Sequence, residues 1–127
     1  MSKGANFASY LVGGRLDPPF MPTKTTPFIE GTMFESRGGK VDSKLVVEED
    51  CELLSIAVGV SDYEPRDYWN LYVGDKLVCK HIYTKDVPEG MYLTAVIPCE
   101  AGTQFHMEYF NEGGKPKFVW VNFQMLK

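Results

Sequence analysis

The sequence predicts an all-β protein: an antiparallel, jelly-roll-like β-sandwich that follows an extended N-terminal arm. Three observations lead to this prediction. Runs of alternating apolar and polar residues recur from residue 41 onward, and Gly, Pro, Asn and Asp separate them at short intervals. No run of a dozen residues shows the period of a helix. Aromatic residues make up 13% of the 127 residues, a share that suits pleated surfaces, and one domain of this length can bury a core without metals or disulfides.

Residues 1–40 are predicted to form the arm. Proline removes a backbone donor and interrupts helices and strands, and the segment contains Pro18, Pro19, Pro22 and Pro27. It also carries many large apolar residues, in which disordered tails are usually poor. We therefore expect the arm to lie on a surface, either of its own domain or of a neighbouring subunit. Residues 32–35 are a candidate first strand.

Residues 41–127 are predicted to be the sandwich domain, which brings the total to seven or eight strands. The candidate strands are residues 44–48, 52–60, the two halves of a hairpin within 67–83, and then 91–97, 103–111 and 117–126. Alternation puts Leu54, Ile56, Val58 and Val60 on one face of the second strand. The same period groups Phe105, Met107 and Tyr109.

The hairpin at residues 67–83 is the most informative segment. Two aromatic and β-branched runs flank Gly74-Asp75, a pair typical of a tight antiparallel turn. On its first strand one face carries Trp69, Leu71 and Val73, and the other carries Tyr68, Asn70 and Tyr72. Because both faces are rich in large side chains, the face turned away from the core is expected to need a cover.

Composition excludes several classes of function. The net charge is −4, with 13 Lys+Arg against 17 Asp+Glu, so nucleic acid is not an expected partner. No window approaches the roughly 18 apolar residues of a membrane span, and the N-terminus lacks the apolar region of a secretory signal. We expect a soluble protein that is made in the cytoplasm and has no membrane partner.

The cysteines and histidines do not form a recognisable motif. Cys51, Cys79 and Cys99 are widely spaced, and the chain contains only two histidines, so no zinc site or other cofactor is expected. We expect buried free thiols, with one disulfide and one free thiol as the alternative. His81 and His106 are expected to be packed or surface residues, because the sequence pairs neither with a nucleophile. The protein is accordingly predicted not to be an enzyme.

Two groups of residues are candidate binding sites. Asp62, Glu64 and Asp67 place three carboxylates within six residues, a set that could contribute to a calcium site, although acids are also common in turns. The rings of Tyr68, Tyr72 and Trp120 could stack on a sugar or anchor a protein interface. A face covered by the arm is the competing interpretation for these rings.

Three segments carry a resemblance to known proteins: DYWNLYVG at residues 67–74, YTKDVPEGMY at 83–92 and VWVNF at 119–123. Through them, residues 41–127 resemble small β-sandwich proteins from the virions and tails of bacteriophages and prophages. The resemblance implies a virion-associated module that is oligomeric and contacts copies of itself or other virion proteins.

The leading expectation is therefore a non-enzymatic assembly protein, located in the virion after synthesis in the host cytoplasm, whose arm and one sandwich face contact other subunits. The alternative is a carbohydrate-binding module that uses Tyr68, Tyr72 and Trp120 on a glycan, with calcium at Asp62, Glu64 and Asp67. A glycosidase or cupin-like enzyme ranks last, because no paired carboxylates or histidine cluster can be assigned.

Overall fold

The computed structural model describes residues 22–84 and 89–127. These residues form eight β-strands: β1 (Pro27–Ser36), β2 (Gly39–Val46), β3 (Cys51–Val60), β4 (Tyr68–Val73), β5 (Lys76–Tyr83), β6 (Glu89–Cys99), β7 (Gln104–Asn111) and β8 (Lys117–Leu126). In the ranges described, no helix is long and apolar enough to cross a membrane.

The strands form two four-stranded antiparallel sheets. The first has the order β1-β8-β3-β6 and the second the order β2-β7-β4-β5. Buried and exposed side chains alternate along β7 and β8, so each sheet turns one face inward. The predicted all-β antiparallel sandwich is confirmed.

The core lies between the two inner faces. In β4 Trp69, Leu71 and Val73, which were predicted to share one face, are all buried, and in β7 so are Phe105, Met107 and Tyr109. The rings of Phe105 on β7 and Phe123 on β8 meet across the sheets with centroids 4.8 Å apart. Apolar burial of this kind supplies most of the stabilisation of a sandwich.

Strand β3 departs from simple alternation. A bulge between Leu53 and Ser55 shifts its pairing with both neighbouring strands. Leu53 is therefore fully buried and Leu54 only partly, whereas Ile56 and Val58 are both buried and share a face, as predicted. The prediction that Leu54 shares their face is wrong, because the bulge adds one residue to the strand and changes the side on which Leu54 lies.

The sandwich begins earlier than the predicted boundary after residue 40. Strand β1 contains the candidate strand 32–35, and β2 begins at Gly39 rather than residue 44. Between these strands Gly38 and Gly39 have φ angles of 142° and 71°, so this glycine pair is the corner at which the chain passes from one sheet to the other. Residues 1–21 of the predicted arm lie outside the described residues.

The segment before β1 is tied to the sandwich. The buried carboxylate of Glu52 accepts hydrogen bonds from the Thr23 hydroxyl (2.6 Å) and from the backbone N–H groups of Thr23 and Lys24. Thr26 and Lys127 exchange two backbone hydrogen bonds. Residues 23–26 are thus attached to the sandwich by side-chain and backbone hydrogen bonds.

The hairpin of β4 and β5 is confirmed, and its edge is irregular. Gly74 takes a φ of 64° in the turn, and Val73 pairs with Lys76. Further along, two register shifts interrupt the pairing, and His81 takes a φ of 57°. By contrast, β1 pairs with β8 from Pro27 to Ser36 without a bulge.

Candidate functional site

The outer face of the second sheet carries a network of five polar side chains: Lys40, Asp42, Asn70, His106 and Glu108. His106 Nε2 lies 2.7 Å from Asp42 Oδ1, and Asn70 Nδ2 donates to Glu108 Oε1 over 3.1 Å. Lys40 Nζ is 3.0 Å from Glu108 Oε2 and 3.7 Å from Asp42 Oδ1. The register brings them together, because Glu108 on β7 is opposite both Asp42 on β2 and Asn70 on β4.

Hydrogen bonds within this polar network favour the charged forms of Asp42, Glu108 and Lys40. The hydrogen bond with His106 lowers the pKa of Asp42, and the hydrogen bond from Asn70 lowers the pKa of Glu108. The hydrogen bond to Glu108 raises the pKa of Lys40. Both acids therefore remain ionised well below neutral pH. As an exposed network it orients side chains and contributes little to stability.

The polar network includes a potential metal-ligand set that the sequence did not predict. The ligand atoms of Asp42, His106 and Glu108 lie within 4.8 Å of one another, and in the described part of the chain no other group of three does so. One imidazole and two carboxylates suit a divalent transition metal, but the Lys40 ammonium already contacts both carboxylates. Asp42 and His106 are 64 positions apart. The sequence alone indicates only that His106 and Glu108, two positions apart on one strand, share a face.

Beside the network a row of rings crosses three strands. Phe110, Tyr68 and His81 stack in that order, with centroid distances of 4.5 Å and 3.7 Å, and Tyr83 packs edge-on against His81 at 5.0 Å. His81 reaches the row because the bulge in β5 turns it outward, whereas Cys79 is buried. Both ring faces of Tyr68 are covered, so Tyr68 cannot stack on a planar or sugar ligand.

The predicted sugar-binding residues are divided between the two sheets. Tyr68 and Tyr72 share the outer face of the second sheet, where Tyr72 stacks on His106 at 5.6 Å. Trp120 lies on β8, in the first sheet, and is exposed there. The structure therefore brings the two tyrosines onto one surface and leaves Trp120 on the opposite one.

Trp120 belongs to a different surface, which we call the apolar face: Ile29, Met33, Phe118 and Trp120 on the outside of β1 and β8. Met33 and Trp120 are opposite each other in the register. The four side chains are 60%, 56%, 45% and 41% exposed, respectively. Such clustering of large exposed apolar residues is characteristic of interaction surfaces.

The three predicted calcium ligands have separate partners. Asp62 pairs with Lys115 (3.0 Å) and Glu64 with Arg66 (3.0 Å). The hydrogen bond from Arg66 lowers the pKa of Glu64. Asp67 points into the protein and is fully buried. The structure thus does not assemble these three carboxylates around one point.

Asp67 instead joins a buried polar cluster that consists of Asp67, Tyr109 and Lys117. Its Oδ2 accepts the Tyr109 hydroxyl at 2.9 Å and contacts Lys117 Nζ at 2.5 Å. Its Oδ1 accepts the backbone N–H groups of Glu112 (2.8 Å) and Gly113 (3.3 Å). Burial, and then the hydrogen bond to Asp67, raises the pKa of Tyr109. This cluster is not predictable from the sequence, because Lys117 and Tyr109 lie 50 and 42 positions from Asp67.

The three cysteines are buried free thiols, as predicted. Cys51 and Cys99 are opposite each other on β3 and β6. Burial raises the pKa of all three thiols, and burial together with the neighbouring Cys51 raises that of Cys99 to about 12.

We expect these thiols to be almost unreactive in the folded protein. A raised pKa leaves little thiolate at pH 8, and the thiolate is the reactive form. A colorimetric disulfide reagent should label essentially no cysteine in native protein and all three after denaturation in guanidinium. Rapid labelling of native protein at a rate typical of free cysteine would contradict this expectation.

These observations define an antiparallel β-sandwich with a polar, ring-bearing outer face on one sheet and an apolar outer face on the other. The chain belongs to the family described as Domain of unknown function (DUF8551), whose profile matches residues 24–127. The matched range begins just before β1 and ends at the last residue, so the family corresponds to the sandwich. No curated protein matches the chain.

Proposed function

We propose that this protein is a non-enzymatic structural protein of a phage or prophage virion, synthesised in the host cytoplasm and assembled through its apolar face and its N-terminal segment. The observation that carries the proposal is the apolar face. Its partners would be copies of the same chain or other virion proteins.

The apolar face has the composition of an interface centre. Tryptophan and methionine are enriched at such centres, and charged residues are depleted there. On one side Trp120 is opposite Gly59 of β3, which has no side chain to cover the ring, and on the other side it is opposite Met33 of β1. Because the four side chains are already about half covered, burying the remainder would contribute about half of the roughly 1.5–3 kcal/mol that complete burial of such a side chain gives.

The strand orders support a jelly roll as the finer description of the fold. The chain crosses between sheets after β1 and β2, and the orders 1-8-3-6 and 2-7-4-5 have the two four-stranded sheets of that architecture. Jelly rolls occur in viral capsid proteins and in lectins, so the architecture is compatible with assembly and with sugar binding. The virion setting itself rests on the resemblance of residues 67–74, 83–92 and 119–123.

The carbohydrate-binding alternative has weaker geometric support. The Tyr68 ring is enclosed by His81 and Phe110. Trp120 lies on the other sheet, and the proposed calcium ligands Asp62 and Glu64 each have a basic partner. Tyr72 is the member of the predicted trio closest to the polar network. We therefore rank assembly first.

The test is the mass of the purified protein in solution, measured by light scattering over a range of concentrations. We expect the wild type to exceed its monomer mass of 14.3 kDa, and we expect the double variant Met33→Glu/Trp120→Glu to shift towards the monomer, because charge on the apolar face opposes its burial. A matched control, Val46→Glu/Leu77→Glu, changes two exposed apolar residues of the second sheet. The control should assemble as the wild type does.

A truncation tests the contribution of the N-terminal segment in the same assay. Removal of residues 1–21 retains Thr23 and Lys24, whose backbone N–H groups bind the Glu52 carboxylate. The truncated protein should therefore fold normally but assemble more weakly than the wild type. Assembly that is unchanged by truncation would contradict the role of the arm. A wild type that remains monomeric at all concentrations, or a control that dissociates as the apolar-face variant does, would contradict the proposal as a whole.

A further inference from the structure

We propose that Asp67 and Lys117 react with each other in the folded protein to form an intramolecular isopeptide bond between Asp67 Cγ and Lys117 Nζ. The bond would link the two sheets covalently. This proposal is independent of the assembly role, since it depends only on the buried polar cluster.

The two reacting groups are enclosed together. The side chains of Lys117 and Asp67 are 1% and 0% exposed, and Lys117 Nζ is 2.5 Å from Asp67 Oδ2. An amine and a carboxyl group that the fold holds in contact have a large effective concentration, because the entropy of bringing them together is already lost on folding. Solvent is excluded, so hydrolysis does not compete.

The fold fixes both ends of the pair. Asp67 immediately precedes β4 of the second sheet, and its backbone is held by hydrogen bonds with Glu64 (3.0 Å) and Thr84 (3.1 Å). Lys117 is the first residue of β8, in the first sheet. Neither group needs to move far for the reaction.

The surroundings of the Asp67 carboxyl group match the needs of acyl transfer. The N–H groups of Glu112 (2.8 Å) and Gly113 (3.3 Å) donate to Oδ1, where negative charge develops when an amine adds to Cγ. The glycine at position 113 lets this turn approach closely, because an added Cβ would lie 2.8 Å from Glu64 Cγ. The Tyr109 hydroxyl donates to Oδ2 at 2.9 Å, on the oxygen that must leave.

The reaction balances without another reagent. One proton passes from the Lys117 ammonium to Asp67 Oδ2, which gives a neutral amine and a carboxylic acid. The Nζ lone pair adds to Cγ, and the two N–H groups stabilise the charge on Oδ1. The addition leaves an extra proton and a positive charge on Nζ; this proton passes, by way of the Tyr109 hydroxyl, to the leaving hydroxyl, so that the Cγ–Oδ2 bond breaks and the amide and one water molecule form. Two buried charges, which are costly to keep out of water, are replaced by a neutral amide.

The intact mass of the denatured full-length wild type tests the proposal. We expect a mass lower, by one water molecule, than that calculated from the sequence, after allowance for any loss of Met1. Tryptic digestion should yield peptide 67–76 joined to a peptide that is not cleaved after Lys117, because trypsin does not cleave at an acylated lysine. Fragmentation of this branched species should place the link on Asp67 and Lys117.

Two variants assign the site. K117R should have the full calculated mass, because its guanidinium is a poor nucleophile that retains the positive charge. K115R is the control, because Lys115 pairs with Asp62 outside the buried polar cluster. This variant should still have a mass lower by one water molecule than that calculated from its sequence. A wild-type protein with the full calculated mass, or a loss of water that persists in K117R, would overturn the proposal. Neither outcome requires the variants to be as stable as the wild type, since the mass is read under denaturing conditions.

Discussion

Asp67→Ala is expected to lower the free energy of unfolding by about 3–5 kcal/mol, the range for removing one partner of a buried charge pair. The substitution leaves the Lys117 side chain, 1% exposed, without its carboxylate. It also removes the acceptor of the Tyr109 hydroxyl and of two backbone N–H groups. If the isopeptide bond forms, the variant loses that link as well. Urea denaturation followed by tryptophan fluorescence measures the change.

Asp62→Ala is the matched control, because Asp62 pairs with Lys115 at the surface. Its effect should be within about 1 kcal/mol of zero. The double variant Asp67→Ala/Lys117→Met should recover part of the lost stability, since it removes the unpaired charge. Equal effects of Asp67→Ala and Asp62→Ala would show that the buried polar cluster does not stabilise the fold.

Phe105→Ala should destabilise the sandwich by about 3–5 kcal/mol, as is typical of a phenylalanine deleted from a core. Phe105 is 1% exposed and packs on Phe123 of the opposite sheet, so the deletion leaves a cavity between the two sheets. The measurement is again the free energy of unfolding in urea.

Phe118→Ala provides the comparison for a phenylalanine on the outside. Phe118 is 45% exposed on the apolar face, and its removal from a dilute, monomeric sample should change stability by less than about 0.5–1 kcal/mol. A similar loss for both phenylalanines would mean that the apolar face is covered within the monomer. That result would also weaken the assembly proposal.

Local alternation predicted much of the core. Trp69, Leu71 and Val73 share one face as expected, because the pleat alone groups them, and that face is the buried one. Leu54 was misplaced, because a bulge is a property of paired strands and is not visible in one strand. The predicted start of the sandwich is too late, because the prolines of residues 1–40, including Pro27, favour an arm. Proline is tolerated at Pro27 because it opens an edge strand.

The sites were less predictable than the core, because their members are distant in sequence. Asp67 was grouped with Asp62 and Glu64 by proximity along the chain, yet it is bound to Tyr109 and Lys117. Asp42 and His106 meet through the pairing of β2 with β7. Strand order and register determine which distant residues come into contact, and neither can be predicted from the alternation within one segment.

The unbroken register of β1 has a consequence for how copies of this chain could be arranged. In the described residues β1 pairs on one side only, with β8. An edge strand that is regular and lacks a bulge can accept a further strand, whereas the bulged β5 edge is poorly suited to do so. Two β1 strands paired about a two-fold axis would merge two first sheets into one continuous eight-stranded sheet. That merger would place both apolar faces on the same side, as a single broad platform.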